Sequence, residues 1–225
     1  MKIQSRFVLL AIFVVVFLCC AIFFAMRNNF DHGNSVRPEE AISRGIFASP
    51  RNASRSERVA REETVRRITE YLRNENVLLK GKKLRTISEM VYKESMHYSL
   101  DYRLVLALMK IESNFKDDAI SEKGARGLLQ VKPSVARFIA EDAGIKWRGD
   151  ETLDEPKENI RIGVRFFSKL IEDFQSVTMA LHAYHVGPTR LREMLAEERV
   201  PHKRYLNLVL NEYDRNVTIL PAPSH

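Results

Sequence analysis

From about residue 84 onward, apolar positions recur at intervals of three and four, which is the spacing of one face of an α-helix. The predicted helices cover approximately residues 87–96, 102–113, 133–143, 160–174, 178–186 and 204–215. Asp101 is a good N-cap for the second helix, and Gly144 ends the third. No segment alternates with period two for long enough to be a strand. The pattern therefore predicts an all-α domain of six or seven helices over residues 84–218, followed by a tail at 219–225.

Two segments precede this domain. Residues 28–58 are rich in Asn, Ser, Arg and Pro and show no apolar period, so we expect a flexible linker. In residues 59–83, the apolar positions Val65, Ile68 and Leu72 are separated by charged residues. This spacing predicts an amphipathic helical segment with much of its surface in solvent, and a linking helix is favoured there over a partner surface.

The beginning of the chain has a different character. Residues 7–26 form a run of 20 positions without a charged side chain, which is the length that spans a bilayer as a helix. Lys2 and Arg6 precede the run, and no small-residue cleavage site follows it. We therefore expect residues 1–27 to be an uncleaved membrane anchor. A cleaved signal peptide is the alternative, and it would leave the remainder in the same compartment.

Composition excludes several classes of function. The chain has 225 residues, 45% hydrophobic and 29% charged, with a net charge of +7 that is too evenly spread to indicate nucleic-acid binding. Both cysteines lie inside the apolar run, so the rest of the chain has neither a disulfide nor a thiolate metal site. His182 and His185 have no third ligand at a recognisable spacing. We expect no metal and no cofactor.

Glu112 is the first candidate for chemistry. It continues the stripe formed by Val105, Leu108 and Ile111 on the second predicted helix, so its carboxyl group faces aliphatic side chains. Loss of hydration raises the pKa of a carboxyl group, which is what a general acid needs at neutral pH. The ordinary alternative is a solvated Glu at a helix end, or one paired with a Lys or Arg.

The residues after this helix favour the catalytic interpretation. Gly124 and Gly127 permit positive φ angles and close backbone approach, as a loop that touches a ligand requires. Gln130 follows with a side chain that both donates and accepts hydrogen bonds, which suits sugar hydroxyls or an N-acetyl group.

Four motifs in series carry a family resemblance. They are ESNF at 112–115, GARGLLQVKP at 124–133, NI at 159–160 with Gly163, and AYHVGP at 183–188. In this order and at this spacing they resemble the soluble-type lytic transglycosylases, which are lysozyme-like enzymes that cleave murein. The likeness covers about residues 84–215.

The resemblance implies a lysozyme-like transglycosylase domain that cleaves the β-1,4 bond between N-acetylmuramic acid and N-acetylglucosamine and leaves a 1,6-anhydro end. Glu112 would protonate the leaving oxygen and then deprotonate the muramoyl C6 hydroxyl. The residues that would contact or orient the glycan are Ser113, Gln130, Gly127 and His185. Tyr184 would approach Glu112 or the sugar. The ring of Tyr184 is equally suited to a core position.

Two positions depart from the family pattern. Leu129 replaces a common Met, which conserves volume. His185 replaces the usual Asn of the fourth motif, and its charge changes in the range of mild acid.

The resemblance also implies a partner and a place. The partner is peptidoglycan. Together with the anchor expected at 1–27, the resemblance implies the bacterial inner membrane, with the catalytic domain in the periplasm. Such an enzyme serves general wall turnover or an envelope-spanning or secretion machine, and the sequence does not separate these roles.

Two other functions stay open. A goose-type-lysozyme-like hydrolase would need a second carboxylate, for which Asp117 and Asp118 are the nearby candidates. A non-catalytic peptidoglycan-binding scaffold is the other.

Overall fold

The computed structural model describes residues 50–75, 81–199 and 201–223. Within these ranges the chain is helical apart from its turns and two isolated β-bridges, so the predicted all-α class is confirmed. The elements are α1 (Pro50–Asn74), α2 (Lys82–His97), α3 (Tyr102–Ser113), α4 (Pro133–Asp142), a 3-10 helix (Asp150–Asp154), α5 (Pro156–Phe174), α6 (Val177–Val186), α7 (Pro188–Ala196) and α8 (Arg204–Ile219).

Short polar signals set the ends of α3, the helix that carries Glu112. The Asp101 carboxylate accepts a hydrogen bond from the Arg103 backbone N–H at 2.9 Å and so caps the first turn. At the other end Asn114 has φ 50°, a left-handed conformation that ends the helix. Glu112 therefore lies in the last turn, where the chain leaves the helix for the following loop.

The middle of α3 forms the centre of the core. Leu106, Ala107, Leu108 and Met109 are four consecutive residues with at most 1% of their surface exposed. A helix that is apolar on every side has to be surrounded by other elements. Helices α2 and α8 pack against α3, while α5 packs against α2, α4 and α6.

Helix α1 differs from the prediction in extent and in role. It begins at Pro50, inside the segment expected to be a linker up to residue 58, because no further proline and no glycine interrupts it before Asn74. Val65, Ile68 and Leu72 are at most 1% exposed. The predicted amphipathic helix with much of its surface in solvent is confirmed up to Asn74, but the linking role was wrong: the apolar stripe is covered, and the compact unit begins well before residue 84.

Specific contacts hold the end of α1 against the helices of the core. The Tyr71 ring meets Phe115 edge to face, with centroids 6.1 Å apart. The Glu75 carboxylate accepts a hydrogen bond from Lys110 of α3 at 2.6 Å, and another from Arg215 of α8. Because side chains from three helices meet here, α1 is part of the framework on which Glu112 is placed.

No helix in the described ranges is long and apolar enough to cross a membrane. The predicted anchor at 1–27 lies outside the described residues, as do residues 28–49 of the predicted linker and the last two residues of the tail.

Candidate active site

An open cavity of about 570 Å³ lies at the end of α3. Four of the residues singled out by the sequence line it, namely Glu112, Gln130, Tyr184 and His185. Its apolar wall includes Val131, Val135 and Phe166, and its cations are Lys123 and Lys132. The cavity thus brings together residues from α3, α6 and the loop between α3 and α4.

The Glu112 side chain is partly buried in this cavity. Burial raises the pKa of its carboxyl group to about 7, even though a hydrogen bond from Tyr205 acts in the opposite direction. Near neutral pH the group is therefore present in both forms, so it can give a proton in one step and take one back in another.

Tyr205 is a residue of this site that the sequence analysis missed. Its hydroxyl donates a hydrogen bond to Oε1 of Glu112 from the second residue of α8. The imidazole of His185 stacks on the Tyr205 ring, with centroids 4.2 Å apart and planes inclined by 10°. Tyr205 belongs to the apolar face of α8, and this helical position was the only signal available in the sequence.

Tyr184 supports the loop next to Glu112. Its hydroxyl donates to the backbone carbonyl of Leu129 at 2.7 Å. Its ring packs against Phe166 and Phe167, with centroid distances of 5.3 and 5.9 Å. The residue therefore combines the two roles that the sequence left open, because the ring is packed against aromatic neighbours and the side chain also lines the cavity.

Gln130 lines the cavity with a side chain that is anchored at one end. Its amide nitrogen donates to the carbonyls of Ala119 and Gly127, both at 3.0 Å. The residue also has φ 46°. These bonds fix the direction of the amide, which is partly exposed.

Ser113 is not brought into the cavity. It is 8% exposed, and its hydroxyl lies 3.0 Å from the Met109 carbonyl and 2.8 Å from the Leu128 carbonyl. A hydroxyl directed at these two carbonyls fastens the following loop to the end of α3. The structure thus places Ser113 in a supporting position, away from the surface that would meet a sugar.

Gly127 is also buried and supports the loop. It has φ +73°, and a Cβ built there would lie 2.3 Å from the amide nitrogen of Asn159. Asn159 is fully buried, and its amide donates to the carbonyls of Arg126 and Leu153, each at 2.9 Å. Its oxygen accepts from the Leu129 N–H at 2.9 Å. Glycine is required because this amide occupies the space of a side chain.

Comparisons with known proteins identify the family of this domain. The family model described as the transglycosylase SLT domain matches residues 89–207, which is more than half of the chain. The chain belongs to the transglycosylase SLT domain family. The predicted family resemblance is confirmed, and the matched residues include Glu112, the loop after α3, and Tyr205.

Curated relatives of this SLT domain include two transglycosylases, one from a bacterium and one from a phage. The membrane-bound lytic murein transglycosylase F 1 of Alkalilimnicola ehrlichii is 34% identical over 111 residues, which cover 45% of this chain and 21% of that protein. The transglycosylase of Enterobacteria phage PRD1 is 27% identical over 134 residues, covering 60% of this chain and 47% of that protein. The chain thus matches between about a fifth and a half of the length of these relatives.

Solved structures similar to the SLT domain give the same fold. An inactive mutant of the lytic transglycosylase Slt from Pseudomonas aeruginosa has a TM-score of 0.51 and 25% identity, covering 60% of this chain and 25% of that one. The 70-kDa soluble lytic transglycosylase of Escherichia coli has a TM-score of 0.52 and covers 66% of this chain and 29% of that one. At 19% identity the second comparison concerns the fold alone.

The two aspartates considered as second carboxylates lie elsewhere in the SLT domain. Asp117 forms an ion pair with Lys83, and Asp118 is exposed. Neither lines the cavity, where Glu112 is the only carboxylate among the described residues. The arrangement therefore offers one acid and base, without a carboxylate partner at the cavity surface.

The two histidines of α6 differ in their exposure to solvent. His182 is 5% exposed, whereas His185 is exposed and lines the cavity. Burial lowers the pKa of both imidazoles. In the described part of the chain no three His, Cys, Asp or Glu side chains are grouped as metal ligands.

Proposed function

We propose that this protein is a peptidoglycan lytic transglycosylase that cleaves the β-1,4 bond between N-acetylmuramic acid and N-acetylglucosamine. One observation carries the proposal: Glu112 has a pKa raised to about 7 by burial, in a cavity with no second carboxylate among the described lining residues. Family membership and the lytic transglycosylases among the relatives support it.

The proposed reaction uses Glu112 twice. The protonated carboxyl group gives its proton to the glycosidic oxygen as the bond to the muramoyl C1 breaks. The resulting carboxylate then takes the proton of the C6 hydroxyl as that oxygen attacks C1, and a 1,6-anhydro ring forms. The reaction consumes no water, and Glu112 ends protonated, as it began. A hydrolytic glycosidase would instead use a second carboxylate, either as a nucleophile or as a base for water.

The surrounding side chains have matching roles in this proposal. Gln130 and His185 offer polar groups at the cavity surface for sugar hydroxyls or N-acetyl groups, and the Tyr184 ring forms part of the wall. Ser113 and Gly127 act by holding the loop that carries Gln130.

We also propose that residues 7–26 anchor the protein in the inner membrane, with the SLT domain in the periplasm. The length and apolar character of this segment support that location. Several relatives are described as membrane-bound, which agrees with it. Membrane fractionation of the full chain and of a form lacking residues 1–27 tests the anchor, and recovery of both in the same soluble fraction would contradict it.

Mass spectrometry of the fragments released from purified sacculi tests the reaction. The full chain is compared with Glu112→Gln, which keeps the size of the side chain but has no transferable carboxyl proton. We expect anhydromuramoyl ends from the wild type and none from the variant. Reducing ends would make the protein a hydrolase. No release by either form, together with retained binding to sacculi, would favour the scaffold alternative.

A further inference from the structure

Two unpaired cations share the cavity with Glu112. Lys123 and Lys132 both line it, and both side chains are exposed. In the described part of the chain, the lysines that form ion pairs are Lys83 and Lys110. The two cavity lysines are therefore available to an anion that enters with the substrate.

The backbone that carries these lysines is well fixed. Lys123 lies in a turn closed by a 2.9 Å hydrogen bond from the Gly124 N–H to the Ser121 carbonyl. Lys132 directly follows Val131, which is paired with Arg126 by backbone hydrogen bonds of 3.0 and 3.1 Å. Each lysine is thus carried by a hydrogen-bonded backbone segment and lines the same cavity as the other.

The other ionisable groups of the cavity do not neutralise them. Glu112 is the only carboxylate among the described lining residues, and in the form that acts as an acid it carries no charge. Burial is the larger cause of the lowered pKa of His185, and the nearby charge of Lys123 is the second. The imidazole is therefore neutral at pH 7. The cavity therefore presents net positive charge to its ligand when the reaction begins.

We propose that Lys123 and Lys132 bind carboxylates of the peptide stem on the muramoyl residue, and so select glycan strands that carry stems. This inference rests on the proposed function. The sugar rings of murein are neutral, whereas the stem peptide attached to the muramoyl lactyl group carries free carboxylates. A lysine suits such a partner, because its ammonium is a mobile point charge that needs no fixed bidentate geometry. Strands without stems lack these contacts.

Equilibrium binding by the full chain carrying Glu112→Gln tests the proposal without turnover. Three probes are compared: a murein tetrasaccharide with its stems, the same tetrasaccharide after an amidase has removed them, and neutral chitotetraose. The second probe carries only the lactyl carboxylates, so it distinguishes that source of negative charge from the stem. Lys123→Gln, Lys132→Gln and the double variant are added to this background. Lys157→Gln is the matched control, because Lys157 is exposed but does not line the cavity.

Exposed ion pairs contribute only modestly to the free energy of binding. We therefore expect each single substitution to weaken binding of the stem-bearing probe about two- to fivefold, and the double variant to weaken it about tenfold. Binding of chitotetraose is expected to stay unchanged, and added salt to reduce the difference between the probes. Equal losses for all three probes, or wild-type affinity in the double variant, would overturn the proposal. A loss equal for the stem-bearing and amidase-treated probes would assign the lysines to the lactyl carboxylate instead, and would overturn it too.

The proposed function has its own separate readout. It fails if wild-type protein releases no anhydro ends from sacculi, whatever the lysine variants bind. The inference about the lysines fails on the binding comparison alone, even when anhydro ends are released.

Discussion

The Tyr205 hydroxyl donates a hydrogen bond to Oε1 of Glu112, although the two residues lie 93 positions apart in the chain. Burial and the neighbouring Glu112 raise the pKa of Tyr205 well above its ordinary value, so the phenol stays protonated and donates. Burial of Glu112 favours its neutral acid, whereas this hydrogen bond favours the carboxylate. Tyr205 thereby keeps the pKa of Glu112 near neutrality.

Replacement of this phenol shifts the pH dependence in a definite direction. In Tyr205→Phe the bond that lowers the pKa of Glu112 is gone, so that pKa rises above about 7. A general acid loses activity as pH rises through its pKa, so the alkaline limb of the pH–rate profile moves to higher pH. We expect kcat to fall about tenfold, as for loss of a hydrogen bond to a charged group.

Tyr213→Phe is the control for this measurement. Tyr213 is on the same helix, and its hydroxyl donates to Asp101 at 2.9 Å instead of to Glu112. Its alkaline limb is expected to coincide with that of the wild type. An alkaline limb that stays in place, or moves to lower pH, in Tyr205→Phe would show that the hydrogen bond does not govern the acid.

His185 adds a second ionisation near the same pair. Burial and Lys123 lower its pKa below 6.5, so it is neutral at pH 7 and becomes charged only in more acidic solution. A positive charge stacked on Tyr205 then favours the Glu112 carboxylate over the acid. We expect wild-type activity to fall more steeply in acidic solution than that of His185→Asn. Superimposable pH–rate profiles of the two proteins would contradict this role.

The sequence predicted the helices well because their signals are local. Asp101 and Pro133 mark helix starts, and the apolar period between such signals needs no knowledge of the rest of the chain. Glu112 was found in the same way, since its place on the α3 stripe is a matter of counting. The burial that raises its pKa is the physical consequence of that stripe.

Other features depended on tertiary contacts that spacing does not reveal. Tyr205 looks like one more apolar position of α8 until the fold places it beside Glu112. Helix α1 looked like a linking helix because charged residues outnumber its apolar ones, but one narrow apolar stripe is enough to pack it against the core while its other side stays in solvent. Ser113 and Gly127 were assigned to the substrate because a motif residue that holds a loop has the same sequence signal as one that touches a ligand.

The raised pKa of Glu112 also has a cost in stability. Below about pH 4.5 the carboxyl group is protonated in both the folded and the unfolded chain, so it contributes no difference. Between pH 4.5 and 7 only the unfolded chain releases its proton, and the folded state loses up to about 3 kcal/mol relative to an uncharged side chain. Glu112→Gln is therefore expected to be more stable than the wild type at pH 8, with the difference vanishing at pH 4. Denaturant unfolding at the two pH values measures this, and an equal difference at both would exclude ionisation as its cause.

The requirement for glycine at position 127 separates into two measurable parts. Gly124 and Gly127 have nearly the same backbone angle, with φ of +74° and +73°, but a Cβ at Gly124 meets nothing within 4 Å. Gly124→Ala therefore reports the left-handed strain alone, which is about 1 kcal/mol. Gly127→Ala adds the collision with Asn159, whose three hydrogen bonds hold the loop, so we expect a loss of at least about 3 kcal/mol.

Measurements of activity distinguish the collision with Asn159 in Gly127→Ala from simple loss of folding. At temperatures where Gly127→Ala remains folded by circular dichroism, kcat is still expected to fall, because Asn159 holds Leu129, and the Leu129 carbonyl accepts the bond from Tyr184. Gly124→Ala is expected to keep wild-type kcat. If the two variants lose the same stability and the same activity, backbone strain is sufficient, and the Asn159 contact does not shape the cavity.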